Sequence, residues 1–231
     1  MMNHITKERY LKAIYHIRHA EKDKVKLSAI AAELALKPPT VHEQIKRLSE
    51  LHLVKSFGRE GLRLTKEGDR AAISVVRRHR IWETFLHKIC RFSWSEVHEL
   101  AEQLQHIRSE KLIDRIYEMS GSPEFDPHGD PIPDKSGSLP HRELRALSES
   151  IEGCRCVILG VTEDSTSFLN YLTDVGLGIH DKLVVQKRME FDGTWKVRHS
   201  KHGSLLLTDK VASKIQVVCK KPGCACTTAL A

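Results

Sequence analysis

Residues 27–64 carry the pattern that most restricts how this chain can fold. LSAIAAELAL places Leu27, Ile30, Ala31, Leu34 and Leu36 on a short buried helix, and KPPT interrupts it. VHEQIKRLSELHLV then resumes helical spacing through Val41, Ile45, Leu48 and Leu51. Pro38 and Pro39 suit a turn and a first helical turn, because proline there gives up an amide that has no helical partner. Val54 to Phe57 and Leu62 to Leu64 follow as alternating strands around the turn Gly58-Arg59-Glu60-Gly61. A further stripe upstream, Tyr10, Leu11, Ile14, Tyr15 and Ile17, predicts a helix over residues 5–20. Helices joined by a tight turn and followed by a hairpin are a winged helix-turn-helix, whose second paired helix enters the major groove.

Charge supports that expectation. Of the formal net charge of +7, residues 1–90 hold 19 Lys and Arg against 10 Asp and Glu, and the rest of the chain is slightly acidic. A basic N-terminal module points to a polyanion, double-stranded DNA above all. Thr40, His42 and Glu43, with Pro39 beside them, are expected to face base edges, and Lys37, Lys46, Arg47 and Arg59 to meet phosphates. No run approaches the roughly 18 apolar residues of a membrane span, and MMNHITKERY is unlike a signal peptide. A cytoplasmic protein with no membrane partner is expected. Its six cysteines would then be free or metal-bound.

Thr65 is a candidate N-cap for a long helix through Cys90, with Ile73, Val76, Ile81, Phe85, Leu86 and Ile89 at helical spacing. Ser93-Trp94-Ser95-Glu96 reads as a capping box opening a second helix over 94–108, through Val97, Leu100, Leu104 and Ile107. His79 and Glu83 share a face of the first helix. His98, Glu102 and His106 form a stripe on the second. Eight helical residues span about 12 Å, too far for one ion bound at about 2–2.5 Å to hold both ends. The stripe therefore divides. His98 joins His79 and Glu83, and Glu102, Gln105 and His106 are left for a second pocket. Histidine with carboxylate suits a divalent transition metal, Mn2+ or Fe2+. Exposed helices also carry such pairs without any metal.

YLKAIYHI, PPTVHEQIKRLSELHLV, GLRLTKEGDRAA, RRHRIWETFLHKI, EVHELAEQLQHIRSEKLIDRI and FDPHGDPIP together resemble the metal-dependent repressors of the diphtheria toxin repressor and manganese transport regulator type. The resemblance implies a homodimeric repressor of metal-uptake genes. It is mainly α with some β: a winged helix-turn-helix domain, a helical metal-binding and dimerisation domain, and a small SH3-like (FeoA-like) β-barrel. It carries over His79, Glu83 and His98 as a first pocket and Glu102 and His106 as a second, with Glu102 favouring manganese. Gln105 stands where the family has glutamate, Arg9 where it has a ligand from the first helix, and Lys12 where manganese-responsive members have an acid. Glu8 is the available substitute.

The expected domains are 1–72, the winged helix; 73–133, the helical domain; 134–150, a polar linker; and 151–219, the SH3-like part. Residues 220–231 are expected to be a cysteine-containing tail. VILGVT, KLVVQKRM, TWKVRH, GSLLLT and KIQVV read as strands, and SFLNYLTDVGL as a helix. The resemblance implies that this domain can lend a ligand to the first pocket, with Glu163 or Asp164 as the candidates. Cys154, Cys156, Cys219, Cys224 and Cys226 complete no four-ligand zinc spacing. No HExxH-type motif or evident nucleophile supports hydrolysis, so neither an enzyme nor a small organic substrate is expected. The alternative is a winged-helix regulator with degenerate pockets that answers to another signal.

Overall fold

The computed structural model describes residues 2–21, 24–56 and 58–219. The tail with Cys224 and Cys226, and the side chain of Arg59, lie outside the described residues.

Three helices open the chain: α1 (His4–Glu21), α2 (Leu27–Glu33) and α3 (Pro38–Glu50). The hairpin β1 (Val54–Ser56) and β2 (Leu62–Leu64) follows, paired antiparallel. Leu11, Ile14, Ile30, Val41, Leu48 and Leu62, each at most 1 % exposed, form one core with Ala72 and Val76 of the next helix. That helix, α4 (Lys66–Lys88), is capped as expected: Thr65 Oγ1 accepts from Gly68 N at 3.0 Å. The expected boundary at 72/73 falls inside α4, so the winged helix and the helical domain share one rod.

α5 (Val97–Leu104) and α6 (Glu110–Met119) pack on the far half of α4, around a second core of Ile81, Trp82, Leu86, Val97, Ala101, Ile113 and Ile116. α5 is shorter than its periodicity suggests. Glu96 does reach back to Ser93 N, at 2.8 Å. Trp94 O, however, accepts from His128 Nε2 at 2.7 Å instead of an amide of its own helix, and regular helix starts only at Val97.

The third core lies in the C-terminal part. There β3 (Arg145–Ala146), β4 (Arg155–Val161), β5 (Lys182–Arg188), β6 (Trp195–His199), β7 (Gly203–Leu207) and β8 (Ile215–Cys219) pair antiparallel in the order β3-β8-β4-β5-β6-β7. α7 (Thr166–Asp174) covers the core and α8 (Asp209–Ala212) precedes β8. Register shifts in β4 between Ile158 and Gly160, and between Val185 and Lys187 where β5 meets β6, disturb the ladder, as bulges that bend a sheet do. The barrel expectation needs correction, because β3 and β7 are the two ends of an open sheet. With two residues, β3 is too short to close it. β3 and the 3-10 turn Leu147–Glu149 also lie within the predicted linker, so the sheet starts at 145.

Candidate metal centre and nucleic-acid interface

α4 carries His79 and Glu83 one turn apart, 4 % and 2 % exposed, facing α5. His79 Nε2 lies 2.9 Å from Glu83 Oε1, and His98 Nδ1 of α5 lies 3.2 Å from the same oxygen. Two further groups join them. His128, in the turn after α6, puts Nδ1 3.8 Å from Glu83 Oε1, and Asp164, in the loop after β4, puts Oδ2 3.6 Å from His98 Nδ1. Glu163, its neighbour, turns instead toward Lys214 at 4.0 Å.

These groups fit a divalent cation on three counts. His79 Nδ1 is buried with no hydrogen-bond partner, an expensive arrangement for a polar atom. His128 Nε2 faces a carbonyl oxygen, which can only accept, so Nε2 carries a hydrogen and Nδ1 is the ring nitrogen turned toward Glu83. A ring that donates one N–H to a backbone carbonyl and points its other nitrogen inward is how metal-binding histidines are usually held. Finally, His79, Glu83 and His98 offer ligand atoms within 4.8 Å of one another, as do Glu83, Asp126 and His128.

Charge bears on the same pocket. Burial pushes the Glu83 carboxyl up, but His79, His98 and His128 outweigh it and hold the group well below the usual range. Burial lowers His79. The bond to Glu83 raises His98 against its own burial. Asp126, wholly buried beside Asp130, is raised well above the ordinary value. Its Oδ1 accepts from His128 N at 2.9 Å and Asp130 N at 3.0 Å, which shapes the turn. Arg80 and Arg77 of α4 fasten that turn by donating to Pro131 O and Pro133 O, each at 2.5 Å.

The second expected set is arranged differently. The i+8 spacing assumes helix through His106, but α5 ends at Leu104. Glu102 pairs with Lys12 of α1, Gln105 donates to Glu102 Oε2 at 2.7 Å, and His106 Nδ1 lies 2.6 Å from Glu8 Oε2. Among the described residues no cluster of three His, Cys, Asp or Glu ligands includes Glu102 or His106. Burial raises Glu102, but Lys12 prevails and takes it down to about 2.

At the other end, Lys37, Pro39, Thr40, His42, Glu43 and Lys46 are exposed along the start and outer face of α3. Arg47 is half-buried and paired with Glu43 at 2.5 Å.

Known proteins share this order of domains and this fold. The description "Iron dependent repressor, N-terminal DNA binding domain" matches residues 4–62, "Iron dependent repressor, metal binding and dimerisation domain" matches 65–134, and "FeoA domain" matches 145–219. The iron-dependent repressor IdeR of Mycobacterium leprae is 30% identical over 194 residues, 78% of this chain and 84% of that protein. The chain belongs to the iron-dependent repressor family. Another relative, the diphtheria toxin repressor of Corynebacterium glutamicum, is 30% identical over 171 residues, 74% of this chain and 72% of its own. A solved manganese-dependent transcriptional repressor in complex with manganese superposes with a TM-score of 0.83 at 33% identity, covering 93% of this chain and all of that one. The manganese regulator SloR gives 0.73 at 30% identity, with 93% and 98% covered. The FeoA match begins at 145, where β3 begins.

In this family member, nothing in the spacing of residues marks His128 or Asp126 as a ligand. FDPHGDPIP was conspicuous, but spacing along α4 and α5 says nothing about a turn that returns to them from α6. Two acids side by side at 163–164 gave equally little reason to prefer Asp164.

Proposed function

We propose that this chain is a cytoplasmic, homodimeric transcriptional repressor that binds an operator when it holds Mn2+ or Fe2+, and that it controls genes of metal-ion uptake. The observation that carries the reading is the shared rod. α4 starts against the wing, where Thr65 N donates to Leu53 O and Thr65 Oγ1 to His52 O, and two turns before its end it carries His79 and Glu83. Glu83, His79, His98, His128 and Asp164 would hold the cation, which would supply positive charge to balance their carboxylates. The chain's residues supply the rest: α4 transmits the position of the cluster, and α1 and α3 move with it. In a dimer, metal would favour the conformer whose two α3 helices match successive half-sites. Exposed Ile89, Phe92, Ile107, Leu112 and Met119, all in the helical domain, support association of two copies.

A sulfur-free set of imidazole and carboxylate suits the harder divalent ions, as the manganese- and iron-dependent relatives do. On this reading the chain is no enzyme, its three cores correspond to three functional units, and α3 with Lys37, Thr40, His42 and Lys46 meets DNA. Manganese or iron(II) is expected to raise operator affinity at least tenfold in a fluorescence-anisotropy titration. His79→Ala is expected to remove that gain. Equal affinity with metal and with chelator would overturn the reading.

A further inference from the structure

The stripe on α5 predicts a second cation pocket, and the fold fills it with a cation of its own. Lys12, on α1, is 6 % exposed. Its ammonium bonds Glu102 Oε1 and lies 3.4 Å from Gln105 Oε1. Gln105, fully buried, turns its amide nitrogen to Glu102 and leaves its oxygen to Lys12. The remaining expected ligand is also engaged. His106 faces Glu8 Oε2, while Glu8 Oε1 accepts from Arg78 at 3.0 Å and from Arg108 at 2.7 and 3.0 Å.

Both carboxylates of the second pocket, Glu8 and Glu102, therefore have basic partners before any metal arrives. A divalent ion would meet an ammonium already bonded to one of its ligands and close to another, and expelling it would leave Lys12 buried without a counter-ion, a costly state. These residues do not fit a second metal.

We propose that the Lys12 ammonium stands in for that metal: the chain's own cation ties α1 to α5, and each protomer takes up a single divalent ion, at the Glu83 pocket. This rests on the metal-dependent reading above. It gives the chain a permanent link between the DNA-binding and helical domains where a two-ion protein would have a conditional one. Glu102 Oε1 also lies 3.8 Å from His79 Nδ1 and 3.9 Å from His98 Nε2, so the stand-in cation borders the real site.

The test is the count of Mn2+ per protomer, by equilibrium dialysis of the full chain followed by metal analysis. Wild type is expected to hold one ion and His79→Ala none. Lys12→Glu, which exchanges the ammonium for a carboxylate, is expected to hold two. Lys12→Gln serves as a second variant that adds an oxygen without charge, and a second, weaker ion is expected there. Circular dichroism checks that each variant folds, and if neither Lys12 variant does, the wild-type and His79→Ala counts decide alone. Two ions in wild type, one surviving in His79→Ala, or one in both folded Lys12 variants would overturn the stand-in while leaving metal dependence intact. No ion in wild type would overturn both.

Discussion

As a proposed ligand, His98 would join protonation to metal uptake at a single ring. Its bond to Glu83 raises its pKa above the ordinary 6.5, in spite of burial and the nearby Lys12. A metal must displace that proton before the ring can bind it. Apparent Mn2+ affinity is therefore expected to fall about tenfold for each pH unit below the raised pKa, one proton being released per ion. The stability of the metal-free protein moves the opposite way. A raised pKa adds stability that is fully present below 6.5 and is lost as pH climbs through the folded value. Calorimetric Mn2+ titrations between about pH 5 and 8, set beside urea midpoints of the metal-free chain, check both slopes. His98→Gln is expected to flatten both. A pH-independent affinity would mean that the ring is not a ligand.

At the scale of elements, α4 sets the layout, and its first turn is where it is fixed. Thr65 both caps the helix through Gly68 N and bonds back to His52 O. Thr65→Ala is expected to cost about 1 kcal/mol and to lower Tm by about 2–4 °C, read by thermal denaturation with the metal-binding count unchanged. Elements like this were legible in the sequence because their signals are local. Thr65 before an amphipathic run gave the start of α4, the Pro38-Pro39 break gave α3, and alternation in KLVVQKRM, TWKVRH and KIQVV gave β5, β6 and β8. Half of the candidate site was legible for the same reason, since His79 and Glu83 are four apart on one helix. The other half depends on chain returning from far away. Lys12 meets Glu102 across 90 positions, and His128 reaches Trp94 O across 34. The early end of α5 and the open sheet were hidden too, because periodicity continues past the point where tertiary bonds stop a helix, and strand patterns do not state which edges meet.

At the scale of the whole molecule, the proposed metal cluster lies where the three units meet, and the FeoA-matched domain is packed firmly enough to take part. Gly129 sits at φ 91°, and a Cβ there would stand 2.1 Å from Leu159 O, so the His128 turn lies flat on β4. Val161 N donates to His128 O at 3.0 Å, and Trp94 Nε1 donates to Thr173 Oγ1 of α7 at 2.9 Å. These bonds hold the loop after β4 over His98, with Asp164 toward the cluster and Glu163 toward Lys214. If the domain contributes charge to the bound ion, the two neighbouring acids must behave differently. Asp164→Asn is expected to weaken Mn2+ binding about tenfold, near 1.4 kcal/mol, and Glu163→Gln to leave it unchanged within a factor of two. Calorimetry on the two variants separates a specific ligand from a general acidic surface: equal losses would reduce the domain's role to long-range charge. No loss in either would make it a structural neighbour of the metal site and nothing more.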